Sequence, residues 1–158
     1  MKRKIQIIAM LLMITSVTTT LSCSKDDKNT NIAKTKTELL TAGSWKRTAL
    51  ISTPAYDWNA DGTFATNILN TMLPCEKDNL DIYKTNGIIE TNEGATKCNP
   101  SDPQSWTAAW VFAANETKLI FDGTDQYTLI ELTETTLKYQ STFVENGVTY
   151  THVETYGH

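Results

Sequence analysis

Four places in the chain carry residue types with chemical potential. Tyr56-Asp57-Trp58-Asn59-Ala60-Asp61-Gly62 contains D-x-N-x-D-G, so Asp57, Asn59 and Asp61 offer side-chain oxygens at alternate positions, with Gly62 at a sharp turn. This is the first half of a calcium loop. The full motif needs a bidentate Glu where this chain has Ile68. Two readings stand: a Ca2+ site with an incomplete oxygen shell, or a β-turn stapled by its own Asx side chains. Cys75 and Cys98 could ligate a metal only with two more soft ligands, and neither His152 nor His158 lies at ligand spacing from them. In an exported chain such a pair reads as a disulfide, worth roughly 3 kcal/mol by chain entropy. Catalytic signals are thin. No G-x-S-x-G elbow occurs, and His152 with Tyr150 and Glu154 could form an acid–base cluster. The plainer reading is a surface or barrel-mouth histidine, and the chain is expected not to be an enzyme. Trp45, Trp58, Trp106 and Trp110 complete the set; they either pack a core or line a ligand cavity.

The elements that would position these groups are strands. After Gly43, short runs rich in Thr, Tyr, Trp, Val and Ile alternate with Gly, Asn and Asp. Strands are expected near 44–52, 79–85, 88–93, 105–113, 118–121, 126–133, 136–144 and 148–156. Asn86-Gly87, Asn146-Gly147 and Asp122-Gly123 suit tight hairpin turns, and Asn115-Glu116-Thr117 marks another. Connections this short make sequential strands antiparallel. The expected fold is all-β, an up-and-down antiparallel barrel of about eight strands with one or two short helices; an open sandwich is the alternative. Trp106, Ala108, Trp110 and Phe112 should share one face, as should Leu137, Tyr139, Ser141 and Phe143. Thr37–Thr41 allows a helix capped by Thr37. Residues 66–74 place Ile68, Leu69, Met72 and Leu73 on one helical face, ended by Pro74, as a lid over one end of the barrel. Large inward residues (Trp45, Trp110, Phe112, Phe121, Tyr139, Phe143) favour a filled barrel. A hollow one would hold a small apolar ligand, with Trp45, Trp110 and Tyr139 as its lining.

The start of the chain has a different texture. Lys2, Arg3 and Lys4 precede an apolar run from Ile5 to Val17 and a small-residue stretch ending Leu21-Ser22-Cys23, the order of a secretory signal peptide. Gln6, Thr15 and Ser16 interrupt the run, and a bilayer span needs roughly 20 apolar residues. The domains are therefore read as signal peptide 1–22, tether 23–36 and barrel 37–158. Losing three cations takes the net charge from −4 to −7. An acidic chain without a Lys/Arg cluster excludes nucleic-acid binding, and no basic amphipathic helix is present to grip anionic lipid.

Leu21-Ser22-Cys23 resembles the lipobox of bacterial lipoproteins, with Thr20 where an aliphatic residue is usual. The resemblance implies acyl chains (palmitate) on Cys23, a membrane as partner and lipid anchoring to the outer membrane. Ser24-Lys25-Asp26-Asp27 resembles the acidic signal for surface exposure; facing the periplasm is the alternative. Gly43-Ser44-Trp45 resembles the Gly-x-Trp signature of lipocalins. Together with Cys75-Glu76-Lys77-Asp78, Gly94–Cys98, the Trp106–Trp110 strand and Leu129–Thr133, it resembles the bacterial lipocalin-like lipoprotein domain over roughly residues 39–145. That resemblance implies a Cys75–Cys98 bridge and binding of a small apolar or amphipathic ligand at the cell envelope. The alternative is a filled barrel that contacts a protein or glycan, presenting an aromatic patch that includes Trp58. Lipocalins place Arg or Lys on the last strand across the signature Trp. Here that strand carries Tyr150, His152 and Glu154, and His152 is the expected substitute.

Overall fold

The computed structural model describes residues 33–158; the expected signal peptide, Cys23 and all but the end of the expected tether lie outside them. A short helix, α1 (Lys36–Leu40), leads into β1 (Ser44–Tyr56), followed by β2 (Ala65–Asn67), a 3-10 turn (Ile68–Asn70) and a second short helix, α2 (Pro74–Lys77). Seven strands then run in sequence: β3 (Leu80–Tyr83), β4 (Ile88–Asn92), β5 (Ser105–Ala113), β6 (Lys118–Phe121), β7 (Asp125–Leu132), β8 (Thr136–Glu145) and β9 (Val148–Gly157). Each pairs antiparallel with the next, β1 pairs with β3, and β9 returns to pair with β1. The result is a closed eight-stranded up-and-down barrel, with β2 an additional strand beside the far end of β1. Closure leaves the main ladder without a free edge.

The hairpin corners follow from local chemistry. Asn146-Gly147 and Asp122-Gly123 both have positive φ at each residue (50° and 77°, 47° and 77°), the backbone twist that matches flanking strands. Inward alternation holds on β5 and β8 as expected, but it slips on β1. Between Arg47 and Ala49 the register against β9 shifts by one residue. Trp45 and Arg47 therefore face in before the bulge, and Leu50 and Ser52 after it, opposite Glu154 and His152. A second bulge between Leu129 and Glu131 does the same on β7.

Two local expectations are corrected. The cap of α1 is Thr35, not Thr37: its hydroxyl accepts from Glu38 N at 3.2 Å while Glu38 Oε2 accepts from Thr35 N at 2.7 Å. Only Thr35 has a carboxylate three residues on to close the box; Thr37 has Leu40 there. The helix expected over 66–74 is instead β2 followed by one 3-10 turn, because pairing of Ala65 and Asn67 with β1 commits that backbone to an extended form. Ile68 and Met72 still face inward, onto Leu50. Pro74 opens α2 rather than ending a helix, as its fixed φ and missing N–H suit a first turn.

One end of the barrel is filled. Leu40 from α1, Trp45, Leu119 and Leu137 are fully buried, joined by Tyr83, Ile89 and Trp110. The Trp45 indole N–H donates to Leu40 O at 2.8 Å, tying α1 across this floor. The opposite end, the mouth, carries the 57–64 loop, the segment through α2, the 93–104 loop and the Asp122-Gly123 and Asn146-Gly147 turns. Cys75 and Cys98 are bridged (Cα–Cα 5.2 Å), so α2 is held to the loop after β4. Among the described residues no helix is long and apolar enough to cross a membrane.

Candidate functional site

Alternation places a group of polar side chains inside the barrel above the floor. Arg47 from β1 points in two residues after Trp45. Its Nε lies 3.0 Å from Glu154 Oε2 on the neighbouring β9, with Arg47 and Glu154 side chains 24 % and 12 % exposed. Arg47 Nη2 donates to Tyr156 Oη at 3.0 Å, and Tyr156 in turn donates to Glu154 at 2.7 Å. Tyr139 on β8 donates to Tyr156 Oη at 2.9 Å. The guanidinium also sits over the Tyr156 ring, 5.4 Å from its centroid. This is a compact, mutually satisfied network, the condition under which a buried ion pair is tolerated.

The electrostatics follow from burial and neighbours. Burial works against the charged Arg47, but the facing oxygens of Tyr156, Glu154 and Tyr139 outweigh it and raise its pKa, so the cation persists. Burial pushes Tyr83, Tyr139 and Tyr156 well above the ordinary phenol range, so all three stay neutral; Tyr139 and Tyr156 donate within the network. Asp81 on β3 is raised by burial, against the hydrogen bond from Thr91 Oγ1 (2.6 Å) and the charge of Arg47. Burial lowers His152, partly opposed by Glu154.

Around this network lies open space. A cavity of about 360 Å³ is lined by Arg47, Asp81, Thr91, Tyr139, Glu154 and Tyr156 at depth. Trp106, Phe121, Asp122, Asp125 and Glu76 also line it. A second chamber of about 390 Å³ shares Tyr127 and Glu154 with it and is walled by Tyr56, Trp58, Phe143, His152 and Ser141. Its rings pack edge to face: Tyr56 lies 5.1 Å from His152, and Phe143 lies 4.8 Å from it. His152 is only 7 % exposed, and its Nε2 has no hydrogen-bond partner among the described residues. The barrel is thus filled at the floor and hollow towards the mouth.

Of the three residues expected to line a cavity, Tyr139 does. Trp45 and Trp110 do not: both belong to the floor core, with Trp110 Nε1 donating to Lys84 O and Ile88 O at 3.2 Å each. The contact across the Trp45 indole comes from His158, not His152. The two rings lie 3.8 Å apart, and His158 Nδ1 is 2.8 Å from Ser44 O. His152 pairs with Ser52, which lies farther along β1 from Trp45 towards the mouth. Trp58 does not stand free in its loop, since its Nε1 reaches Glu76 Oε1 at 3.3 Å.

The D-x-N-x-D-G loop closes on itself. Asp57 accepts from the amides of Asp61 (3.1 Å) and Gly62 (2.8 Å), and Asp61 accepts from Thr63 N at 2.8 Å. Asn59 Nδ2 donates to Thr71 O at 3.0 Å, fastening the loop to the segment before α2. These are the contacts of an Asx-stapled turn. Among the described residues no group of three or more His, Cys, Asp or Glu side chains converges as a metal cage.

Sequence reasoning did not single out Arg47, Asp81, Thr91, Tyr127 or Tyr156. A signal existed: Trp45-x-Arg47 and His152-x-Glu154-x-Tyr156 put charge on the same strand face as the core aromatics. Comparison with known proteins adds no relative: no protein-family model matches the chain, and a search of curated proteins finds no match.

Proposed function

We propose that this chain is a lipid-anchored, lipocalin-like binding protein of the bacterial envelope. Its lumen takes one small amphipathic molecule through the mouth, with no chemical step. The observation that carries this reading is the cavity of about 360 Å³ between a filled floor and an open end. Its wall combines aromatic surface with a few convergent polar groups, the usual make-up of a small-molecule site. The sequence features at Leu21-Ser22-Cys23 support the anchor and the outer-membrane address. A second reading, a contact module for a protein or glycan, draws on Phe64 and Val144, which are 63 % and 69 % exposed.

The test is titration with an apolar fluorescent dye, comparing wild type with Ala108→Phe, which adds a ring to the wall of the cavity. Dye should bind wild type at one site per chain, and the variant should keep its thermal stability while losing the dye. Equal binding by both, or none by wild type, refutes the lumen as the site.

A further inference from the structure

We infer that the ligand is a small organic cation with a flat apolar body, its charged end received among the carboxylates of the lumen and its body held between the mouth aromatics. This rests on the lumen reading above and adds the sign of the ligand's charge.

The charge balance of the cavity is one-sided. Among the described residues Arg47 is the single cation on its wall, against Glu76, Asp81, Asp122, Asp125 and Glu154. Arg47 is already committed. Its Nε and Nη2 serve Glu154 and Tyr156, and its Nη1 faces the Met72 sulfur at 3.9 Å. An anion entering here would meet uncompensated carboxylates before a guanidinium with few free donors. A cation meets the reverse: a low-dielectric cleft of one sign concentrates counter-charge. Thr91 Oγ1 is the one hydrogen-bond donor to the half-buried Asp81 carboxyl among the described residues, which leaves acceptor capacity there.

A second, independent feature lies in the adjoining chamber. His152 is buried and lines it, yet its Nε2 is without a partner among the described residues. Such an atom costs free energy unless something satisfies it. Tyr56, Trp58 and Phe143 surround it, with Glu154 on the same wall. Ring faces attract cations within about 6 Å, and the aromatic surface of this wall offers apolar contact to a flat body. Burial keeps the His152 imidazole from protonating at neutral pH, so it adds no repelling charge.

Three probes of one shape separate the possibilities: 2-phenylethylamine, 2-phenylethanol and 3-phenylpropionate, titrated calorimetrically into the full-length chain. The amine should bind at least about tenfold tighter than the alcohol, a difference of roughly 1.4 kcal/mol, with the carboxylate weakest. Added salt should weaken the amine alone. Asp81→Asn should bring the amine's affinity down to the alcohol's without moving the alcohol. Asp125→Asn, on the exposed rim, tests the same charge where folding is not at stake, and should weaken the amine by a smaller factor. Equal affinities for amine and alcohol, or a preference for the carboxylate, would overturn the cation while leaving lumen binding in place. Failure of all three while the apolar dye binds also overturns the cation alone; failure of the dye as well removes both readings.

Discussion

Glu154→Gln is the perturbation that most directly probes the polar network inside the barrel. The substitution keeps shape and an acceptor for Tyr156, but strips the charge facing Arg47 at 3.0 Å. An exposed ion pair is worth about 0–1 kcal/mol. A buried one broken on one side costs about 3–5 kcal/mol, because the other charge is stranded. With the two side chains 24 % and 12 % exposed, the pair lies near the buried limit, and the discount for residual solvent leaves about 2–4 kcal/mol. Arg47→Met, which keeps the apolar stem, should cost about 2–3 kcal/mol by the same reasoning. The double variant strands no charge and should cost only about 1–2 kcal/mol, far less than the sum. Urea unfolding followed by tryptophan fluorescence, with m-values held common, measures all four corners of the cycle. Additive costs, or a loss below about 0.5 kcal/mol for Glu154→Gln, would show that water screens the pair and that the lumen is not the low-dielectric space described.

Trp45→Phe removes both the indole donor to Leu40 O and part of the ring surface facing His158; thermal unfolding should register a loss of about 2–3 kcal/mol. Replacing Cys75 and Cys98 together by Ala opens a loop with sequence separation 23 and should lower stability by about 3 kcal/mol on chain-entropy grounds, read in the same urea experiment. His152 should make stability pH-dependent. An imidazole held below its ordinary 6.5 by burial takes up a proton less readily folded than unfolded, so stability is fully present above 6.5 and falls as pH drops through that value. The raised Asp81 pKa acts with the opposite sign, lost as pH rises from 3.8 through the folded value, so the difference between wild type and His152→Gln isolates the histidine; a flat difference between pH 8 and about 5 refutes its burial in neutral form. Glu116→Gly should stabilise by about 0.5–1 kcal/mol, since Ala114, Asn115 and Glu116 all have φ between 51° and 60°; no gain in midpoint would count against strain in that turn.

Local patterns in the sequence determined a good part of this molecule. Strand extents and corners were legible because Asn-Gly and Asp-Gly tolerate positive φ and because inward residues alternate, as Leu137, Tyr139, Ser141 and Phe143 do on β8. The cysteine pair was legible from count alone. The tertiary structure decided everything that depends on which distant residues meet. A bulge after Arg47 inverts the phase of β1, a shift with no residue signature in Trp45–Ser52, so alternation could not be followed across it. Pairing of β2 with β1 overrode the helical spacing of 66–74. His158 rather than His152 reached the Trp45 indole because closure of β9 onto β1 sets which ring arrives at the floor. Whether large inward side chains fill a barrel or ring a cavity depends on the level at which each strand presents them. Level is set by register between strands, a long-range quantity that spacing along one strand does not contain.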